Sequence, residues 1–594
     1  MDWKRFDHLR RTAGPMQREV MEAYQQGRLT RRSFLRRGAI VGLSVPAMGA
    51  VLSACGGDDD TSSPATTTGG SDGGTATTAG GADTTTMNSA GEPSQGGMLT
   101  AGIQTGDANS GLDPLNMLDL GTYSVLSQAF EYLVGLSDTG GVGPTALATG
   151  WEPNEDGSVW TFTLREGVMW QDGSPFTSAD VAATVDRMVV AGAGLSGVVS
   201  EGAVETPDEL TAIVNCDQPN GNLPVLISIY NPQSLITPAD YTDGTTLDER
   251  PTGTGAWKFD SFDPTSFRAE FVPNPDWWGG AVNLDRVVMQ GFDSGGTQVA
   301  AMAAREIDLI QQFAVADGGN LLNDGSFTLL KPPSANHRQV WFNTQLPEGG
   351  PFTDARVRQA VGYALDRQLM VDTLYQGQAQ IANDHPVYPT FDGFDASQEQ
   401  RPLDPEMAKQ LLADAGYADG FDCVIQVGDL QEIPRMAAIV EQNLAAVGIN
   451  ASVNVTPNSD FYGEYWCTGA TWGAQPETGG PGRPCGASAE IGIVDYGHRP
   501  TPDVYFGRAL ETDGDWNSSN YNSEEFDGLF RDYQAATSAE AKSAPISSIQ
   551  ALLHEDTPAC YPIFFDYLSG HDASVSGVQV TALGHIQLQQ ASKA

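Results

Sequence analysis

From Val159 to Leu164 the chain alternates, with Trp160, Phe162 and Leu164 on one side and Thr161 and Thr163 on the other. A period of two predicts a strand with one buried face. Glu155-Asp156-Gly157 just before it predicts a turn. Thr177-Ser178-Ala179-Asp180 reads as a capping box, and Val181, Val185 and Met188 follow at helical spacing. Val357, Val361, Ala364, Leu365 and Val371 predict one amphipathic helix. Asp404-Pro405 opens another, with Leu411, Leu412 and Ala415 on its apolar side and Gly416 past its end. A third carries Met436, Val440, Leu444 and Val447, stops at Gly448, and runs into an alternating strand through Ala451, Val453 and Val455. Helices alternating with strands predict an α/β fold in this half. No repeat of 20–50 residues is present.

The first hundred residues obey a different pattern. Residues 30–36 read Thr-Arg-Arg-Ser-Phe-Leu-Arg, and an apolar run from Ala39 to Leu52 follows. That run is shorter than the roughly twenty residues a spanning helix needs, but it fits the apolar core of an export signal. The paired arginines give it the look of a twin-arginine signal, a route that carries proteins already folded. Leu52-Ser53-Ala54-Cys55-Gly56 resembles a lipobox, so Cys55 is expected to be acylated and to become the new N-terminus. Two acyl chains suffice for a lasting anchor where one does not. Residues 56–95 are Gly, Thr, Ser, Ala and Asp with almost no large apolar side chains. They cannot bury enough surface to offset their ordering entropy, and they read as a leash of about 35 Å r.m.s. reach.

Length and charge narrow the picture further. A chain of 594 residues is too long for one small core. Its 40% apolar content suits a globular body and excludes a multi-span membrane protein. Ten of the 31 Lys/Arg and four of the 75 Asp/Glu lie in residues 1–38, so the remainder carries a formal charge of about −50. Such a body repels nucleic acid, which excludes DNA and RNA as partners.

Six segments together resemble the family 5 extracellular solute-binding proteins, which include oligopeptide-, dipeptide- and nickel-binding proteins. They are LATGWEPNEDGSVWTFTLREGVMWQDGSPFTSADV (147–181), PTGTGAWKF (251–259), VPNPDWWGGAVNLDRV (272–287), FNTQLPEGGPFTDARVRQAVGYALDR (342–367), DPEMAKQLLADAGYADGF (404–421) and DTPACYPIFFDYLSGHDASVSGV (556–578). They run in family order across nearly all of 97–594. The resemblance implies a two-lobed α/β periplasmic-binding-protein-like fold with a hinge. Lobe I would comprise 97–145, 250–337 and 563–594, with a subdomain inserted at 146–249. Lobe II would span 338–562, behind a signal peptide (1–54) and the lipidated leash (55–96). It further implies a monomeric receptor on the outer face of the cell membrane, which takes a peptide or peptide-like solute to ABC permease subunits driven by cytoplasmic ATPases. Trp151, Trp160 and Trp170 read as core anchors of the insert, and Trp277 and Trp278 as rings packed on the Asn274-Pro275-Asp276 turn.

In the peptide-binding relatives an aspartate after an aromatic-rich loop pairs with the ligand ammonium, and Asp495 in IGIVDYGHRPTPDVYF (491–506) matches it. A buried ammonium needs such a carboxylate; otherwise Asp495 caps a turn before Gly497. Arg499 reads either as a fork for a ligand carboxylate or as half of a salt bridge. Tyr496 reads as a stacking or hydroxyl contact, or as packing. Many relatives lack the His498-Arg499 pair, so their ligand class does not transfer directly. Trp466 and Trp472 flank a Gly/Pro-rich stretch, either as aromatic walls of a pocket or as packing beneath it. Cys467 and Cys485 bracket that stretch and are the expected disulfide, worth about 3 kcal/mol by loop closure. Cys216, Cys423 and Cys560 are left without an assigned pairing.

Beyond the leash the sequence offers no G-x-S-x-G elbow, and nowhere a CxxC or HExxH, so no cofactor, dedicated metal site or enzymatic activity is expected. A non-peptide solute, a sensor acting on a signalling partner and, behind both, a secreted hydrolase are the competing readings. The anchor has a direct test. Cys55→Ser should move the protein from the membrane pellet to the soluble fraction on cell fractionation, and an unchanged distribution would remove Cys55 as the anchor.

Overall fold

The computed structural model describes residues 94–594 except 107–111, 117–118, 138–139, 196, 242–251, 347–348 and 467–488. These residues belong to the compact unit Ser89–Ala594. Cys55, Cys467, Trp472 and Cys485 lie outside the described residues.

Strand Met98–Gln104 sits inside the first of two seven-stranded sheets. Leu99, Ala101 and Ile103 are all fully buried. It pairs in parallel with Arg286–Phe292 on one side and Leu309–Ile310 on the other. Antiparallel strands Arg268–Pro273 and Trp257–Asp263 extend one edge. Ser569–Asp572 and Phe327–Leu330 extend the other.

The alternating run Val159–Leu164 is a strand of a separate four-stranded antiparallel sheet, between Ala148–Pro153 and Thr211–Cys216. Trp160, Phe162 and Leu164 point inward as their spacing predicts. Helix Ser178–Ala191 starts where the capping box places it. The Asp180 carboxylate accepts the Thr177 N–H at 2.8 Å, and the helix ends on Gly192 at φ 72°. Trp160 and Trp170 are buried, and Trp151 packs half-buried against the same core. That core is continuous with the one beneath the first sheet. The four-stranded unit and the first sheet are therefore joined by continuous apolar packing.

The second seven-stranded sheet is built on His337–Phe342, which pairs antiparallel with Ile491–Tyr496. Phe421–Gly428 runs parallel to both Ile491–Tyr496 and Ile449–Thr456. Helix Ile433–Ala446 connects Phe421–Gly428 to Ile449–Thr456, burying Met436, Val440 and Leu444. Helix Pro405–Asp414 is capped by Asp404, whose side chain accepts the Met407 N–H. The single helix expected through Val357–Val371 is two helices, Ala355–Ala364 and Arg367–Leu374. Asp366 causes the break, because its carboxylate caps the second helix at the Leu369 N–H and its own N–H donates to Asn443 Oδ1. Apolar spacing continues across the gap, so periodicity alone does not reveal it.

The chain passes from the first sheet to the second at 331–336 and returns at 566–568. Lys331 and Asp566 pair across these two crossings at 3.1 Å. No helix among the described residues is long and apolar enough to cross a membrane.

One buried charge cluster stands out in the second body. Asp384 is fully buried and receives Arg367 Nη2 at 2.8 Å on both oxygens and Arg401 Nε at 2.7 Å. The Tyr561 N–H also donates to it at 3.2 Å. Asp384→Asn keeps the shape and leaves two guanidiniums buried without their counter-ion. Breaking such a group costs about 3–5 kcal/mol, so urea denaturation should show a loss of that order, and a change below about 1 kcal/mol would mean water reaches the cluster.

Candidate functional site

Parallel α/β sheets present their binding crevice at the carboxyl ends of their strands, and Ile491–Tyr496 delivers Asp495 to such an end. Asp495 is half-buried, and its carboxylate accepts the Tyr462 hydroxyl. Directly opposite in the antiparallel register is Arg338. The Arg338 guanidinium is almost fully buried, donating from Nε to Glu432 at 2.8 Å and from Nη2 to Gln431 Oε1 at 2.7 Å. It also lies 4.5 Å from the centre of the Phe565 ring. Burial works against this charge, but Glu432, Tyr375 and Asp495 more than restore it and hold the pKa above its ordinary value. The Tyr375 hydroxyl donates to Glu432 at 2.5 Å. Among the described residues Tyr462 donates to Asp495, and the remaining acceptor positions of its carboxylate face no described protein donor.

Side chains alternate along a strand, so Tyr496 points to the opposite face from Asp495. Its ring is buried, stacked on His337 with centroids 5.2 Å apart, and Tyr505 and Trp516 pack around it. Its ring is thus enclosed, and through Trp516 it joins the same aromatic group as Trp466 and Tyr462. His498 is likewise buried. Its Nδ1 accepts the Ala335 N–H at 3.0 Å, and its own N–H donates to Asn336 Oδ1 at 2.6 Å. Burial, with Arg499 alongside, pulls its pKa down to about 3, so the ring stays neutral. His498 thus ties the end of the site strand to the 331–336 crossing.

Arg499 is half-buried and donates to the His498 carbonyl at 2.7 Å. Among the described residues no carboxylate lies within 4 Å of it. Its charge is felt by Tyr123 on helix Leu120–Ala129, which packs on the first sheet, and by His337 on the second. Its neighbour His498 meets Tyr230 with ring centroids 5.7 Å apart, which sets this end of the strand beside residues 146–249. Asp495 and Arg499, an anion and a cation, flank the locked His498 at the end of one strand.

Trp466 is half-buried and meets Tyr462 edge-on at 5.0 Å, with Trp516 6.4 Å away. It stands one turn beyond Tyr462, just past helix Asn458–Glu464. Sequence reasoning missed Tyr462 and Trp516. The four-residue spacing of Tyr462 and Trp466 was the available signal for the first. Trp516 carries none, because it reaches the site through a loop and is held by Arg508 stacked at 3.7 Å.

A crevice of about 340 Å³ lies between the strand ends of the two sheets. Gln298, Gln311 and Asp317 line it from the first, and Tyr375, Glu432 and Arg435 from the second. It shares Glu432 with the network around Arg338 but does not include Asp495, Tyr496, Arg499 or Trp466. Among the described residues no group of three or more His, Cys, Asp or Glu is arranged to hold a metal ion.

Comparison with known proteins matches this architecture. Residues 144–480 match the model of the bacterial extracellular solute-binding proteins, family 5 middle region. Heme-binding protein A of Haemophilus influenzae is 27% identical over 496 residues, covering 76% of this chain and 85% of that protein. The dipeptide-binding protein of Escherichia coli is 24% identical over 511 residues, with 80% and 90% covered. Among solved structures, HbpA2 from Haemophilus parasuis superposes with a TM-score of 0.70 at 23% identity, over 84% of this chain and all of that one. The fold is thus the two-lobed α/β fold of periplasmic binding proteins.

His337, packed among Tyr496, Tyr505, Tyr561 and Phe564, gives a pH test of this site's foundation. Burial lowers its pKa from 6.5 to about 3. The unfolded chain takes up the proton first as pH falls, so this stabilisation is complete above about 6.5 and drains away toward about 3. His337→Phe should therefore lose less unfolding free energy than the wild type between about pH 7 and pH 5, by roughly 1–2 kcal/mol in urea titrations. An equal loss in both proteins would mean that His337 protonates alike folded and unfolded.

Proposed function

The chain belongs to the bacterial extracellular solute-binding proteins of family 5, and from that membership we propose that it is the receptor of an ABC importer, capturing a peptide or peptide-like solute between its lobes. Asp495 is the observation that carries the peptide reading. A half-buried carboxylate at a strand end, held by Tyr462 and backed by Arg338, suits a ligand ammonium that has left water. Arg499, with no described carboxylate partner, suits the ligand's own carboxylate at the other pole. Trp466, with Tyr462 and Trp516, supplies an aromatic wall that tolerates varied side chains. The name of the Escherichia coli relative, a dipeptide-binding protein, agrees with this ligand class.

We adopt the lobe division expected from the sequence with one shift: Ile563–Phe565, expected in lobe I, pair within the second sheet and are taken with lobe II. Residues 97–145 and 250–337, with the C-terminal segment, form lobe I, 146–249 are inserted in it, and the chain up to the return crossing at 566–568 forms lobe II. The lobes close by hinge motion about 331–336 and 566–568, and ligand binding selects the closed state. The solute leaves unchanged to membrane permease subunits, while Cys55 holds the monomeric receptor at the outer face of the membrane through the 56–95 leash.

The test is affinity for a pooled peptide library measured by calorimetry and native mass spectrometry. Asp495→Asn should weaken binding of free-amino peptides about 10- to 100-fold, as expected for a lost charge-assisted hydrogen bond. N-acetylated peptides should bind poorly to the wild type and be insensitive to the substitution. Equal affinity of both proteins for free-amino peptides would remove Asp495 from the site, and peptide turnover would overturn the receptor reading.

A further inference from the structure

The insert touches the second lobe through residues that do not include Asp495. The turn between helices Glu524–Ala535 and Ala539–Asp556 lies against the end of the four-stranded sheet. There the Gly221 N–H donates to the Gln534 carbonyl at 2.7 Å. Beside it Lys542 Nζ donates to Asn222 Oδ1 at 2.6 Å, and Asn222 Nδ2 donates to Asp503 Oδ1 at 2.6 Å. The Tyr533 hydroxyl completes the chain on Asp503 at 3.1 Å. Asn222 belongs to the insert and the other three to lobe II, so one amide bridges a cation and an anion across the boundary. Asn222 and Lys542 are only 2% and 6% exposed, so the bond between them is desolvated and stronger for it, while Asp503 is half-buried.

The backbone is shaped for the same contact. A Cβ on Gly221 would come within 1.9 Å of the Ala536 carbonyl oxygen, so only glycine lets the turn seat. Gly157 at φ 74° leaves room for the Thr537 methyl, which a Cβ would meet at 2.6 Å. The Trp160 indole holds this edge of the insert by donating to the Asn220 carbonyl at 3.0 Å.

The two faces of the insert differ in kind. Toward lobe I it shares a continuous apolar core. Toward lobe II it offers the polar bridge and the two glycine seats, with a cavity of about 330 Å³ opening beside them. A polar seam next to a cavity can part without exposing a core, whereas the apolar face cannot.

We propose that Asn222, Asp503 and Lys542 form a latch between the insert and lobe II that sets solute affinity without touching the solute. The inference rests on the hinge-closing receptor reading above. Lobe I and the insert move as one body, so opening the cleft must break the latch. Its bonds therefore favour the closed form before any ligand arrives. Apparent affinity scales with the fraction of protein in the competent state, so these are positioning residues for whatever solute the cleft takes.

Amide hydrogen exchange on the full chain, with no solute added, tests this directly. Peptides covering 217–223 and 533–540 should be protected in the wild type. Lys542→Met should speed their exchange about ten-fold or more, the shift expected from losing one buried charge-assisted bond. Peptides from the first-sheet strand Met98–Gln104 should keep their wild-type rates. Gly221→Ala, which leaves the polar bridge intact but blocks the seat, should give the same pattern. Unprotected latch peptides in the wild type, or unchanged rates in both variants, would overturn the proposal. So would faster exchange spread equally through the first sheet, which would mark a merely structural role. Because no solute enters the measurement, exchange rates test the latch even in a protein that fails to bind peptides.

Discussion

Arg338 is a buried cation just past the crossing between the two sheets, and much of the structure is arranged to make that tolerable. An unpaired guanidinium at this depth would cost several kcal/mol. Glu432 and Gln431 come to it from the start of helix Ile433–Ala446, and Tyr375 orients Glu432 from the end of helix Arg367–Leu374. Asp495 lies opposite it on the neighbouring strand. One charge thus gathers the crossing, the central strand pair and two helix ends. Of the two carboxylates in that group, Asp495 has the fewer described hydrogen-bond partners.

Around this root the molecule separates what must be rigid from what must move. The strand pair His337–Phe342 and Ile491–Tyr496 is backed by an aromatic cluster of Tyr496, Tyr505, Tyr561 and His337. His498 pins the end of the site strand to the crossing with two hydrogen bonds. The insert is bound to the first sheet by a continuous apolar core. By contrast, contacts that join the first sheet and the insert to the second among the described residues include polar ones: Lys331 with Asp566 and Gln378, Asn222 with Lys542 and Asp503, and Gly221 with Gln534, beside the ring contact of Tyr230 with His498. Apolar cores resist partial opening, whereas isolated polar contacts exchange with water at modest cost. That division of chemistry allows hinge closure without melting either body.

Strand Val159–Leu164, helix Ser178–Ala191 and the passage from helix Ile433–Ala446 into strand Ile449–Thr456 were all legible in the chain. Each is decided by neighbours within a few residues, through period-two or period-3.6 burial and through caps at Thr177 and Gly448. The break at Asp366 was not, because a cap and a continuing apolar stripe compete there and the Asn443 contact decides between them. In the site, Asp495 was found through its segment's resemblance to a family. Tyr462 on Asp495 and Glu432 on Arg338 join positions 33 and 94 residues apart, which no local period encodes.

The sequence by itself determined the α/β class, most element types, the acidic composition, and membership in a family of two-lobed receptors. Those properties follow from composition and from short-range order, which a linear string carries. The tertiary structure alone decided which way the residues of 491–499 face: Asp495 toward Tyr462 and across from Arg338, Tyr496 and His498 into the core, and Arg499 half-buried beside His498. Alternation along a strand tells which side chains share a face. Only the packing of helices and neighbouring strands decides which of those faces is closed and which is left open to a ligand.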